Sequence, residues 1–397
     1  MPTTIQLRIA CDIVVIFFTS LFVITSLVMC VGVMREAMNQ GLGVAGVFRL
    51  LPYALPNALS LAVPGTALFS VCCVYGRMSA DNEFTAMQSV GISMLPAMWP
   101  AIVITTLLSI ATVTLINVAF TWGFHGVQNV VLSSVEKIAY GVLQREHQYA
   151  HDPFSLRVRE VHGKDLIDPS ITIRRGSGPA ITINARTATL RYDAPTESIE
   201  MSVTDGHAEV EGQASFYFPD TFTHVIPLNA TPKYDLLTAH PSHMPMSDLP
   251  LASRAQSHDI VRRENEMAVH TGFDLLASRT ERSSSAEALS RTRDLVASRQ
   301  RLHRLATEMH RRWASGFTCF AMSMIGIPFG IRMKASDTMT TFGIVFLPTV
   351  LIYYPIFAAT LDMAKDGRLP PQGVWIANLI FVFVGVLMMR RLVYKPA

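Results

Sequence analysis

The chain offers 12 histidines, five cysteines and 30 carboxylates for chemistry, yet their spacing builds no reactive centre. No G-x-x-x-x-G-K-[ST] phosphate loop occurs, because Gly163-Lys164 lacks both the upstream glycine and the following hydroxyl residue. H-E-x-x-H and G-x-S-x-G are absent as well. His303 and His310 are seven residues apart on a helical pattern, two turns, too far to share one metal without partners. Cys11, Cys30, Cys72, Cys73 and Cys319 all lie in apolar stretches and form no C-x-x-C, so they read as small buried hydrophobes. Asp12 and Asp362 fall at the ends of apolar runs, which leaves no ionisable relay inside them. Neither a metal nor a cofactor is expected, and the chain reads as a non-enzyme.

The elements that must position any functional residue follow from how charge is distributed. Residues 123–312 hold 45 of the 63 Asp, Glu, Lys and Arg side chains and all 12 histidines. Two apolar blocks flank this polar one. That pattern excludes a single soluble domain, a disordered chain and a disulfide scaffold. The net charge of +3 is too small to mark a nucleic-acid binder.

A bilayer core of ~30 Å needs about 20 helical residues. Six apolar runs qualify: Ile13–Met34, Leu50–Tyr75, Ala97–Trp122, Trp313–Ile331, Thr338–Leu361 and Leu369–Met389. Pro52 and Pro56 predict a late start for regular helix in the second run. The first run is 22 residues long with no small-residue cleavage site after it, so it reads as an uncleaved span rather than a signal peptide. With the N-terminus inside, the inner short segments carry seven Lys and Arg (Arg8, Arg77, Arg332, Lys334, Arg390, Arg391, Lys395). The outer ones carry four (Arg35, Arg49, Lys365, Arg368), which favours that orientation. Arg35 and Arg49, at the outer mouth of the first two spans, are placed either to pair with lipid phosphates or to snorkel at the interface.

Within the polar block, residues 154–228 alternate as half-buried strands, for example Ile171-Thr172-Ile173 and Ile181-Thr182-Ile183. Gly176-Ser177-Gly178-Pro179 and Asp205-Gly206 are among the breakers. This predicts a β-sandwich or jelly roll, either closed over a packed core or open around a lipid chain. Pro232, Pro241, Pro245 and Pro250 mark a linker. A helix from about Ala286 carries Ala288, Leu295, Leu302 and Met309 every seven residues and runs into the fourth span. Arg291, Arg293, Arg299, Arg301, Arg304, Arg311 and Arg312 cover its other faces, as a solvated surface or as a contact for anionic headgroups.

The loop between spans two and three has helical spacing over Ser79–Val90, with Ser79 or Asp81 as its N-cap. The segment from Tyr75-Gly76-Arg77-Met78-Ser79-Ala80-Asp81-Asn82-Glu83 through Ser93 resembles the coupling segment of the LptF/LptG (YjgP/YjgQ) permeases of the lipopolysaccharide exporter. Glu308-Met309-His310-Arg311-Arg312-Trp313, Gly326-Ile327-Pro328-Phe329-Gly330, Leu369-Pro370-Pro371 and Asn378-Leu379-Ile380-Phe381 resemble further family motifs in the same order. The stretch from Pro250 to Gln300 looks longer than the family pattern.

The resemblance implies an α+β membrane protein, with six transmembrane helices in two groups of three. A periplasmic β-jelly-roll-like domain is inserted between helices 3 and 4. Residues 1–122 would hold spans 1–3 with a cytoplasmic coupling helix near 76–95, residues 123–312 the β-domain, linker and juxtamembrane helix, and residues 313–397 spans 4–6. It implies a half-transporter in the bacterial inner membrane that pairs with a second LptF/LptG-type permease above a cytoplasmic ABC ATPase dimer. The pair would extract lipopolysaccharide or a related anionic glycolipid and hand it to a periplasmic jelly-roll protein. Glu83 matches the coupling-helix glutamate by position, with Asp81 and Arg77 beside it. The family jelly roll is open along one side, which turns Ile173, Ile183 and Leu190 toward an acyl chain. The alternatives are a membrane-anchored scaffold whose β-domain binds protein alone, and a lipid-modifying enzyme, for which the residues supply no acid/base or metal set.

Overall fold

The computed structural model describes residues 2–40, 44–151, 154–173, 181–193, 198–210, 214–218, 220–227, 236–277, 285–333 and 338–394. Six helices among them are long and apolar enough to cross a membrane. Three lie before the β-strands and three after: α1 (Pro2–Gln40), α2 (Val44–Ala80) and α4 (Leu95–Val118), then α7 (Ala286–Arg332), α8 (Thr338–Lys365) and α9 (Ile376–Tyr394). Between α2 and α4 sits the short α3 (Glu83–Ser89). A π-turn at Ala119–Gly123 joins α4 to α5 (Phe124–Glu146), and α6 (Leu249–Leu276) precedes α7.

Two compact units divide the chain. One comprises residues 1–30, 54–124 and 234–397, the other residues 31–53 and 125–233. In the first unit α7 is the hub. Its Gly316 lies so close to α4 that a Cβ there would strike Val113 and come within 3.0 Å of the Ser109 carbonyl. The Phe320 N–H donates to Ser109 Oγ at 3.1 Å across the same contact. On the other side, a Cβ at Gly385 of α9 would sit 2.5 Å from the Met324 carbonyl. Small residues are what bring helices together in lipid, where apolar burial drives nothing. A buried polar clamp ties the last three spans: Tyr353 O–H bonds Asn378 Oδ1 at 2.6 Å, and Asn378 Nδ2 donates to the Ala314 carbonyl at 2.8 Å. The outward faces of α1 (Val15, Phe18, Phe22) and α8 (Leu347, Leu351) stay exposed and apolar, as lipid contact requires.

The second unit is built on one curled antiparallel sheet of nine strands. The long β6 (Ile181–Asp193) and β7 (Ser198–Val210) form its spine. Along the other edge of β6 lie β5 (Ser170–Ile173) and then β4 (Asp165–Ile167). β2 (Phe154–Arg157) and β1 (Gln148–His151) extend past β5, and β3 (Glu160–His162) past β4. β8 (Ala214–Phe218) and β9 (Phe222–Pro227) share the far edge of β7, split where Asp205 takes a left-handed φ of 51°. Leu156, Val158, Leu166, Ile171, Met201 and Val203 fill the inner face, and Leu143 of α5 packs among them.

Two sequence expectations give way here. α2 runs unbroken from Val44 through Pro52 and Pro56 rather than starting after them. Proline is tolerated in transmembrane helices, where neighbouring groups re-satisfy the freed backbone. The stretch beyond the proline linker holds a 28-residue helix, α6, that periodicity did not reveal. Its buried face includes Gln256 and Asp259, so the apolar stripe that marks a helix is interrupted by polar residues.

Candidate coupling site

The short α3 is seated by an aromatic residue and presents a carboxylate. Phe84 is 4% exposed and enters a cluster to which α1, α2, α4, α7 and α9 also contribute, through residues such as Ile9, Met78, Ala97, Ile331 and Leu392. Its ring stacks on Tyr75 with centroids 6.2 Å apart, and the Tyr75 hydroxyl donates to the Ala97 carbonyl at 2.7 Å. Ser79 does not cap α3. Its hydroxyl donates to the Ile331 carbonyl at 2.6 Å, joining the end of α2 to the end of α7. Asp81 makes no cap either. The residue before the helix is Asn82, held at a left-handed φ of 56° with no side-chain cap bond. This corner turns the chain sharply between α2 and α3, and Asn is among the residues that tolerate it best.

Beside α3 lies a groove of about 270 Å³ lined by Arg8, Asp12, Arg77, Met78, Glu83 and Met87, among others. Arg77 and Asp12 form an ion pair at 2.5 Å that links α2 to α1. Their side chains are 51% and 34% exposed, so solvent weakens the pair and its worth is at most ~1 kcal/mol. Two of the three residues expected here, Arg77 and Glu83, therefore share one groove. Asp81 is exposed at the corner. The sequence reading missed Asp12 and Arg8 as parts of this site. Their signal was rarity, since residues 1–122 contain eight charged side chains.

The other candidates lie in the second unit. Arg35, near the end of α1, and Arg49, near the start of α2, are both exposed. Ile183 and Leu190 are 7% and 6% exposed, within the apolar cluster that includes Leu143. Ile173 stands in β5 opposite Ile181, and its side chain lies outside the described ones.

A second polar constellation emerges only in three dimensions. Arg312 is fully buried, although its neighbours in sequence suggested a solvated or lipid-facing arginine stripe. Its Nε donates to Glu308 at 3.1 Å and its terminal nitrogens to Asn117 Oδ1 at 2.8 Å, the Ser242 carbonyl at 2.9 Å and the Met244 carbonyl at 2.7 Å. Arg311 also binds Glu308 and lies over the Phe120 ring of the π-turn, 4.8 Å from its centroid. The guanidinium fork thus pins α4, α7 and the 241–246 segment to one another.

Six apolar helices in two triplets, a β-domain between them and a charged groove at a short inter-helix segment define a polytopic membrane protein of the permease type. The family model for the lipopolysaccharide export system permease LptF/LptG matches residues 9–391, and the chain belongs to that family. A comparison with curated proteins returned no match.

Proposed function

We propose that this chain is one permease half of an ABC-type exporter that lifts lipopolysaccharide, or a related anionic glycolipid, out of the inner membrane. It pairs with a second permease of the same family. A separate cytoplasmic ATPase dimer supplies the energy, and a periplasmic jelly-roll protein receives the lipid. The β-domain and the mouth formed by Arg35 and Arg49 face the periplasm, where the two guanidinium groups meet lipid phosphates. The single observation that carries this reading is the seat of α3. A seven-residue helix is anchored at Phe84 among five other helices, so a push on it moves the ends of several spans together. Glu83 sits at that seat on the rim of a charged groove, where a partner's Arg, Lys or backbone donors would meet it.

The test is to purify the chain expressed with its neighbouring ATPase and permease and to identify bound lipid by mass spectrometry. Recovery of the ATPase together with lipopolysaccharide supports the proposal, whereas a chain that recovers protein partners but no lipid supports the scaffold reading. The burial of Ile183 and Leu190 beside Leu143 is the observation that favours this second reading, because a filled β-domain has no space for an acyl chain.

A further inference from the structure

The interior of the β-domain is filled by a segment that does not belong to the sheet. Near its C-terminal end, α5 brings Ala139, Tyr140 and Leu143 onto the inner face, and Leu143 is 1% exposed. The cluster it joins holds Ile183 and Leu190, the positions that would meet an acyl chain. Tyr140 fixes this segment with its hydroxyl. The Leu190 N–H donates to it at 2.8 Å, and it donates to the Lys164 carbonyl at 2.6 Å. β4 pairs with β6 no further than Thr189, so Tyr140 takes the next amide along, where the ladder to β4 has ended.

A phenol hydroxyl and one leucine are a small attachment for a helix that fills a core. No β-strand hydrogen bond binds α5 to the sheet through Tyr140; the contact is side chain to backbone. The same helix begins directly after the π-turn at Ala119–Gly123, whose Phe120 is held under Arg311. π-turns are local irregularities that recur at functional sites. A helix with an irregular base and a lightly fixed tip can leave a cavity while the sheet stays intact.

We infer that Ala139, Tyr140 and Leu143 form a plug that occupies the acyl-chain site of the β-domain in the lipid-free state and withdraws when lipid enters. This rests on the reading that the β-domain carries lipid. It turns the filled interior into a resting state: apolar surface stays covered between transport cycles, and an entering acyl chain replaces the leucine and tyrosine contacts with its own. Release of Tyr140 from Leu190 and Lys164 is the polar step, and these groups regain water at the domain surface.

The test uses the complete transporter complex in membrane vesicles containing lipopolysaccharide, with a small diazirine side chain replacing Ile183. In the otherwise unaltered chain, light-induced lipid capture should require ATP. In Tyr140→Phe, capture without ATP should rise about fivefold, the population shift that loss of one ordinary hydrogen bond allows. Amide exchange on the complex without the diazirine gives a second reading. Residues 139–146 and the Leu190 amide should exchange faster when lipid and ATP are both present, while the β6–β7 ladder stays protected. If capture at position 183 needs ATP but neither Tyr140→Phe nor exchange at Leu190 changes, the plug is wrong and the lipid-carrying domain stands. If position 183 never captures lipid in either chain, the lipid reading of the β-domain fails and the plug fails with it.

Discussion

Glu83 and Arg312 illustrate two uses of a charge in a chain that has few to spare. Glu83 is part-exposed on a groove with Arg77 and Asp12, where a partner can reach it. Arg312 is enclosed, with donors committed to Glu308, Asn117 and two carbonyls. Removing one member of such a buried set leaves the other charge uncompensated, at a cost of about 3–5 kcal/mol. Arg312→Met is therefore expected to lower the thermal midpoint of the purified protein sharply. Arg312→Lys should recover only part of the loss, because an ammonium cannot reproduce the fork. An unchanged midpoint in Arg312→Met would remove this cluster from the account. Glu83 was legible in the sequence because it stands in a contiguous segment with a family pattern. Arg312 was visible as a residue but not as a role. Its partners are 195, 70 and 68 positions away, and nothing in a local charge run separates a buried arginine from solvated ones.

Among the elements, α7 carries both the membrane packing and the extramembrane hairpin with α6. Its contact with α4 has no room at Gly316, where any Cβ meets Val113 and the Ser109 carbonyl. Gly316→Val should separate the two helices and reduce folded yield, whereas Gly343→Ala, at a glycine with open space around it, should not. Equal yields from the two variants would show that the α4–α7 crossing is looser than described. In the hairpin, burial opposes the charge of Asp259, yet hydrogen bonds and positive charge from Arg263 and Arg262 outweigh it and hold the carboxyl below its ordinary value. A depressed carboxyl stabilises the fold above its unfolded pKa of about 4 and loses that contribution as pH falls through the folded value. Amide exchange in α6 should thus be flat from pH 8 to 5, after correction for intrinsic rates, and rise below pH 4. Asp259→Asn should remove this dependence, and a dependence that persists in the variant would assign it to another group. The spans were legible because a bilayer imposes length and apolarity on contiguous residues. α6 was not, because Gln256 and Asp259 stand where an apolar stripe would have announced it.

The whole molecule is two triplets of spans around a β-domain, and its order was readable from the alternation of apolar and polar blocks alone. The strand pairing was not, since alternation reports which face a residue takes but not which neighbour it meets. The filling of the sheet by Leu143 lay equally out of reach, because α5 belongs in sequence to the end of the third apolar run. What unites the two ends of the molecule functionally is the claim that a partner's force enters at α3. The most direct measurement is lipid release from proteoliposomes containing the complete transporter, recorded beside ATP hydrolysis, for the unaltered chain and Glu83→Ala. Truncating one member of a partly desolvated charge pair typically costs ~2–5 kcal/mol, against ~0.3–1 kcal/mol for an acid that merely favours a helix start. The expected result is a folded, inserted Glu83→Ala protein that either loses the ATPase or hydrolyses ATP without releasing lipid. A normal complex with normal lipid release would contradict the account and leave Glu83 as an ordinary helix-start acid.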